Sequence, residues 1–363
     1  MNLRLEMVLL LLPKIFWNQK IKLYLRLKKI KNMDLSKFSK EFASVSSKQY
    51  QQIFAAIIGA EFSAEQIKKF LLDLNQAAFS KNIFLGAIKS FKPLCKKISA
   101  PKNALDVCGT GGDKLNTLNI STAVALVVAG YGVPVAKHGN KAISSKSGSA
   151  DVLMELGIDI MADSVAIEQS LEENNLCFMF APLYHSSFKS IAKIRAEINA
   201  PTIFNFLGPL LNPANAKLQL IGTSKKQTML PMLEALRETG SEKVFIVHGN
   251  DGMDEITISD NSLIAKLEDG KISDLQIINP EDYGIKKSPL ESIRGGDAKY
   301  NAAKILMLLD GEKSAFRDVV VLNSAFALIV ANKAKSVQEA IVIASQSIDS
   351  GKAKQVLQKL KTK

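Results

Sequence analysis

Residues 106–123, DVCGTGGDKLNTLNISTA, constrain this chain more than any other stretch. A short apolar strand pattern, ALDVCG, runs into three glycines within four residues, and a helix pattern, NISTAVALVVAGYG, follows. Gly109, Gly111 and Gly112 let main-chain amides approach an oxyanion with no Cβ in the way. Asn119, Ser121 and Thr122 open the helix, whose free amides and dipole favour phosphate. No GK[ST] follows, and the glycine spacing is not GxGxxG, so neither common nucleotide loop is present. Taken alone, the unit reads equally well as a tight strand-to-helix turn with ordinary caps.

The rest of the chain puts that unit in context. After Pro101, VPVAKHG, LCFMFAP and KVFIVHG read as strands, and SADVLMELG, NAAKILMLLDG and SAFALIVANKA read as helices. Strands alternating with helices predict an α/β fold with a mainly parallel sheet flanked by helices. From Met33 to about Lys97 the pattern is helical instead. Ser46 with Gln49 and Ser63 with Gln66 form capping-box signatures, and Phe62 with Ile67 is spaced as a hydrophobic staple. The expectation is a small all-helical N-terminal domain, 33–98, rejoined by the amphipathic KSIAKIRAEI near 188–206. The α/β domain then takes 102–187 and 207–363. A length of 363 residues suits two such domains.

The net charge of +12 suggests a nucleic-acid partner until it is located. Residues 1–32 hold eight Lys/Arg against one acid, and the remaining chain carries 39 basic and 34 acidic residues. The body is therefore only mildly basic. The apolar run MVLLLLPKIFW is too short to span a bilayer and has no small-residue cleavage site after it, so neither a membrane span nor a signal peptide is expected. Residues 1–32 are read as an extension that plays no part in the fold, and a membrane-surface helix is the alternative. Cys95, Cys108 and Cys177 show no metal spacing, which fits reduced thiols in the cytoplasm.

Two further clusters carry chemistry. KHGNKAISSKSGSADVL places Lys137, Lys141 and Lys146 with Ser144, Ser145, Ser147 and Ser149 between a strand and a helix. Such a loop lies where open α/β sheets bind ligands, and lysines are point-charge partners for phosphate. VHGNDGMDEI brings adjacent Asp254 and Glu255 after a strand and a glycine loop. Hard carboxylate oxygens suit Mg2+, which often bridges to substrate phosphates. The bland readings are a solvated polar loop and a solvated acidic turn. Together with the first glycine loop, the three clusters describe Mg2+-assisted chemistry at a polyphosphate.

From about Met33 onward the sequence resembles the anthranilate phosphoribosyltransferase family. GTGGD, NTLNISTA, KHGNKAISSKSGSADVL, FAPLYH, TIFNFLGPLLNPA and VHGNDGMDE stand in that family's order. The resemblance implies a nucleoside phosphorylase/phosphoribosyltransferase-like fold and transfer of the phosphoribosyl group of phosphoribosyl pyrophosphate (PRPP) to anthranilate, in tryptophan biosynthesis. By the same resemblance, Gly109, Gly112, Asp113, Thr117, Asn119, Ile120, Ser121 and Thr122 contact PRPP. So do Lys137, His138, Gly139, Asn140, Lys141, Ala142, Ile143, Ser144, Ser145 and Ser149. Ser121, Asp254 and Glu255 match the family's Mg2+ positions, and Gly109, Asn140 and Arg195 match its anthranilate contacts. His138, Tyr184, His185, Gly208 and Pro209 fall where the family lines its acceptor pocket. Lys141 departs from the pattern, standing where the family commonly has Arg and losing bidentate geometry.

No residue is assigned as a general acid or base, because an aryl amine is already neutral at pH 7. The resemblance further implies a homodimer, with no nucleic-acid or membrane partner. Two alternatives are weighed. A pyrimidine nucleoside phosphorylase typically shows a KHSTGG-type loop where this chain reads GTGGD. A non-catalytic nucleic-acid-binding homologue would carry its basic charge in the body of the fold.

Overall fold

A computed structural model describes Leu35, residues 42–142 and residues 146–361. The expectations for residues 1–32 and Met33, and for Ile143, Ser144 and Ser145, lie outside the described residues. In chain order the elements are α1 (Ser47–Ile58), α2 (Ala64–Gln76), α3 (Lys81–Phe91), β1 (Leu105–Gly109), α4 (Ile120–Gly130), β2 (Val135–Gly139) and α5 (Ser149–Glu155). Then come α6 (Ser164–Asn174), β3 (Leu176–Phe180), α7 (Ala181–Tyr184), α8 (Lys189–Ile198), β4 (Leu218–Gly222), α9 (Met229–Glu238), β5 (Lys243–Gly249) and β6 (Ser262–Glu268). The chain ends with β7 (Lys271–Ile272), β8 (Gln276–Ile278), α10 (Ala298–Leu309), α11 (Ala315–Val330), α12 (Val337–Asp349) and α13 (Lys352–Lys361).

Local chemistry starts these helices where the sequence signals them. Ser46 accepts from the Gln49 amide while the Gln49 side chain accepts from the Ser46 amide, and Ser63 with Gln66 repeats the arrangement. Each such cap contributes about 1 kcal/mol. Phe62 packs against the core that contains Ile67. α4 is apolar on nearly every face and correspondingly buried, since it lies between the sheet and the outer helices. Its last residue, Gly130, allows that layering, because a Cβ there would sit 2.7 Å from the Ala353 amide nitrogen.

The sheet runs in the order β3-β2-β1-β4-β5-β6-β7, with β8 on β6. β3 through β5 pair in parallel, and β6 joins antiparallel. From β1 the chain winds outward to β3, then returns through α7, α8 and residues 203–211 to place β4 on the other side of β1. The strand order therefore reverses between β1 and β4. Open α/β sheets bind ligands at the carboxyl ends of the strands at such a switch point. There the register sets Gly109 opposite Gly222.

The two faces of the sheet build separate cores. Leu105, Val107, Val135, Leu218 and Phe245 pack against α4, α5 and the carboxyl-terminal helices. Ile221, Val244, Ile246 and Ala265 pack against α9, α1, α2, α3, α8 and residues 203–211. Phe54, Phe91, Phe188 and Phe204 stack edge to face or tilted at the centre of this second core, with centroids 4.7–6.2 Å apart. Ion pairs Lys68–Glu197 and Lys81–Glu238 tie α2 to α8 and α3 to α9. Among the described residues no helix is long and apolar enough to cross a membrane, and the three cysteines are buried and unpaired.

Candidate active site: a glycine loop against an acidic turn

The glycine loop leaves β1 directly against the acidic turn that follows β5. Gly111 and Gly112 take positive φ (69° and 80°), which glycine adopts without strain. The Gly111 amide donates to Asp254 Oδ2 at 2.6 Å. A Cβ on Gly109 would stand 2.3 Å from that same oxygen, and one on Gly222 would stand 1.5 Å from the Asp254 carbonyl oxygen. Both facing glycines are thus needed for the acidic turn to lie across the strand ends. α11 holds the turn from behind. Buried Asn323 accepts from the Ile256 amide at 3.0 Å and donates to the Ile256 carbonyl at 2.8 Å.

The two carboxylates are largely withdrawn from water, and their pKa values rise. Burial and then the charge of Asp113 push Asp254 up; burial and then Asp254 push Glu255 up. The Ser121 main-chain amide works the other way, hydrogen-bonding Glu255. The three residues proposed for the metal therefore converge, with Asp113 beside them. Their oxygens are hard donors, and like charges this close and this dry favour a divalent cation. No group of three or more His, Cys, Asp or Glu able to hold a metal occurs among the described residues. Phosphate oxygens and water would have to complete the shell, as Mg2+ commonly requires.

The second loop is arranged differently from a simple set of phosphate-facing lysines. Lys137 belongs to β2 and is 3% exposed. Its ammonium donates to the Val107 carbonyl at 2.7 Å and to Ser121 Oγ at 3.1 Å, under the start of α4. Burial lowers its pKa, opposed by Cys108, Asp106 and Glu255. Lys137 thus braces Ser121 from within. Lys141 lies over the Phe180 ring, and Lys146 is exposed. Asp151, which no sequence motif singled out, pins both shoulders of the loop by accepting from the Ala142 amide at 2.8 Å and the Gly148 amide at 2.9 Å. Ser149 Oγ donates to the Asn140 carbonyl at 3.3 Å.

Asn119, at the start of α4, accepts from Asn301 at 2.8 Å. Thr117 bridges to Arg294, and the Gly295 amide donates to the Asn116 carbonyl. The glycine loop's far end is thereby fixed to the segment before α10. Ile120 and Thr122 are buried in the first turn of α4, and Thr122 Oγ1 has no partner among the described residues.

At the carboxyl end of β2 the structure brings His138 and His185 into contact, Nε2 to Nε2 at 3.1 Å. Burial drives both down, His138 to about 3 with help from His185 and Lys137, and His185 to about 4. The Gly208 backbone bonds the His138 ring, so the Gly208–Pro209 turn joins this pair. Tyr184 packs nearby in a small apolar cluster with Ala136, Cys177 and Met179. Arg195 lies half-buried on α8 with its guanidinium 5.7 Å from the Phe204 ring centre, and burial lowers its pKa. Among the described residues it forms no ion pair. Asn205, next to Phe204, reaches within 3.9 Å of where a Gly112 Cβ would stand. One short segment therefore links Arg195 to the glycine loop.

The arrangement has close counterparts. Residues 101–354 match the model of the glycosyl transferase family, a/b domain. Anthranilate phosphoribosyltransferase of Parvibaculum lavamentivorans is 43% identical over 320 residues, covering 88% of this chain and 94% of the relative. That of Xanthobacter autotrophicus is 42% identical over 318 residues, covering 88% and 92%. The crystal structure of anthranilate phosphoribosyltransferase from Thermus thermophilus superposes with a TM-score of 0.84 at 32% identity, covering 91% of this chain and 99% of that one. The Saccharomyces cerevisiae enzyme in complex with PRPP and Mg gives a TM-score of 0.81 at 25% identity, over 90% and 97%. Matching these relatives in sequence and fold across nearly its whole described length, the chain belongs to the anthranilate phosphoribosyltransferase family.

Proposed function

We propose that this chain transfers the phosphoribosyl group of PRPP to the amino group of anthranilate and releases pyrophosphate, with Mg2+. One observation carries the reading: the Gly111 amide and the Asp254 carboxylate, one from a phosphate-type loop and one from a metal-type turn, meet at 2.6 Å. A site that places anion-binding amides beside buried carboxylates fits a metal-bound polyphosphate better than either group alone. The yeast relative, solved with PRPP and Mg, supports the same donor and metal.

In this mechanism the anthranilate nitrogen forms a bond to the anomeric carbon as the bond to the pyrophosphate oxygen breaks. The ribose becomes oxocarbenium-like, and negative charge grows on the leaving group. Mg2+, when bound to Asp254, Glu255 and Ser121, would neutralise that charge. The chain's own amides at Gly112 and the start of α4 supply fixed dipoles to the phosphates, while the Gly111 amide orients Asp254. Lys137 holds Ser121 in place, and Asp151 shapes the loop across the ribose phosphate. Arg195, with no carboxylate partner among the described residues, is assigned to the anthranilate carboxylate, and Asn140 with Gly109 to its amine end. His138, His185 and Pro209 wall the ring. The remaining alignment is entropic, since two substrates held in register react as one.

We assign residues 33–98 with 188–206 to a helical domain that completes the acceptor pocket, and a homodimer to the assembled enzyme. Unpaired buried thiols fit a cytoplasmic protein. The test is loss of anthranilate fluorescence, with and without PRPP and Mg2+. Consumption that needs both supports the reading. Anthranilate left intact under all conditions overturns it, and wild-type turnover and Mg2+ dependence in an Asp254→Asn, Glu255→Gln double variant would overturn the metal assignment.

A further inference from the structure

We infer that Lys225 binds the pyrophosphate portion of the donor, as a cation on the β4 flank of the glycine loop. The inference rests on the phosphoribosyl-transfer reading and adds to it a contact that none of the sequence motifs contains.

The backbone of Lys225 is held firmly at the end of β4. Its amide donates to Thr223 Oγ1 at 3.4 Å, and its carbonyl accepts from Thr228 Oγ1 at 2.8 Å. The preceding residue, Ser224, donates its amide to Thr110 Oγ1 at 3.3 Å, inside the glycine loop. The side chain then runs toward the helical part of the chain. Its ammonium lies 5.8 Å from the centre of the Phe79 ring and 5.7 Å from that of Phe206. Asn205, next to Phe206, is the residue that faces Gly112. Lys225 therefore follows a residue bonded to Thr110, and its ammonium lies beside Phe206, whose neighbour Asn205 lies on the Gly112 side of the loop.

Charge explains what such a lysine would do. Asp113, Asp254 and Glu255 lie together on the other flank of the loop. Lys137 is engaged inside the fold by the Val107 carbonyl. Lys225 has no carboxylate within ion-pair distance among the described residues. A half-buried ammonium seated on two ring faces is partly dehydrated, and its four-carbon stem can turn. Phosphate oxygens are a stronger partner for it than a ring face, because the hydrogen bond is charge-assisted on both sides. The pair KK after a strand normally marks a solvated turn, so sequence alone does not single this residue out.

The test compares Lys225→Met, which keeps the stem over the rings and removes the charge, with Lys225→Arg, which keeps the charge. Steady-state constants for both substrates, inhibition by inorganic pyrophosphate and the melting temperature are measured. Lys225→Met is expected to raise the PRPP KM and the pyrophosphate inhibition constant about tenfold, the loss of one charge-assisted contact. The anthranilate KM should stay within about twofold, and Lys225→Arg should recover most of the loss. Unchanged PRPP and pyrophosphate constants overturn the inference. So do equal shifts in both substrate constants with a lowered melting temperature, which would reduce Lys225 to a packing contact. If the wild-type protein transfers no phosphoribosyl group, calorimetric binding of Mg2+-pyrophosphate to wild type and Lys225→Met still decides: equal affinities overturn it.

Discussion

A Cβ on Gly222 would lie 1.5 Å from the carbonyl oxygen of Asp254, two residues that no local motif connects. The acidic turn crosses β4 at van der Waals distance, and only a glycine permits that approach. Gly222→Ala should push the turn away from the Gly111 amide. The expected result is at least a tenfold rise in the Mg2+ concentration needed for half-maximal rate, with a stability loss of about 1–3 kcal/mol from overpacking. Mg2+ titration at fixed PRPP, alongside thermal melts, checks both. A normal Mg2+ response would show that this crossing does not set the metal site.

Arg195→Ala should raise the anthranilate KM and leave the PRPP KM nearly unchanged. A hydrogen bond to a charged group contributes about 1.5–3 kcal/mol, which corresponds to roughly 10- to 150-fold. Arg195→Lys should recover only part of this, since bidentate geometry is lost. The guanidinium also rests over Phe204, beside the residue facing Gly112. An equal rise in both constants would mean that Arg195 acts through that packing.

Asp151→Ala removes the acceptor shared by the Ala142 and Gly148 amides. Both shoulders of the second loop lose their anchor. The PRPP KM should rise severalfold, while the anthranilate KM and the melting temperature change much less, because the site is local and partly exposed. Asp151→Asn keeps one acceptor oxygen and should fall between. A melt that drops by many degrees with unchanged kinetics would reassign Asp151 to the fold alone.

The His138–His185 contact predicts acid sensitivity. Both imidazoles are held neutral by burial, with values near 3 and 4 against an ordinary value near 6.5. Between about pH 6.5 and pH 4 the unfolded chain takes up protons that the folded chain does not. Stability is therefore present above pH 6.5 and is lost as pH falls through this window. A His138→Gln, His185→Gln variant should show a shallower fall over the same range in denaturant melts. The same slope in both proteins would place the acid sensitivity elsewhere.

Much of the architecture was legible because its causes are local. Ser46–Gln49 and Ser63–Gln66 cap the helices they were expected to cap, and the strand patterns around Val107, Ala136 and Phe178 became parallel strands of one sheet. Asp254 and Glu255 were legible as a pair through spacing, but their burial was not. That depends on Gly109, Gly222 and Asn323, which lie 145 or more residues before, 32 or more before and 68 or more after the pair. Lys137 shows the same limit from the other side. Its type and position suggested a phosphate contact, while its bonds to the Val107 carbonyl and Ser121 depend on the strand register.

By itself, then, the sequence determined the alternation of strands and helices, the helix starts and the identity of the loops, since periodicity, caps and glycines act over a few residues. Its long motifs were specific enough to reveal the family. Tertiary structure alone decided which groups meet: Gly111 with Asp254, His138 with His185, Lys225 with Phe79 and Phe206. The physical reason is the chain reversal between β3 and β4. It sets β1 beside β4 and stacks the helical segment on one face of the sheet, so groups far apart in sequence meet, and their energies depend on distance and burial rather than on residue type alone.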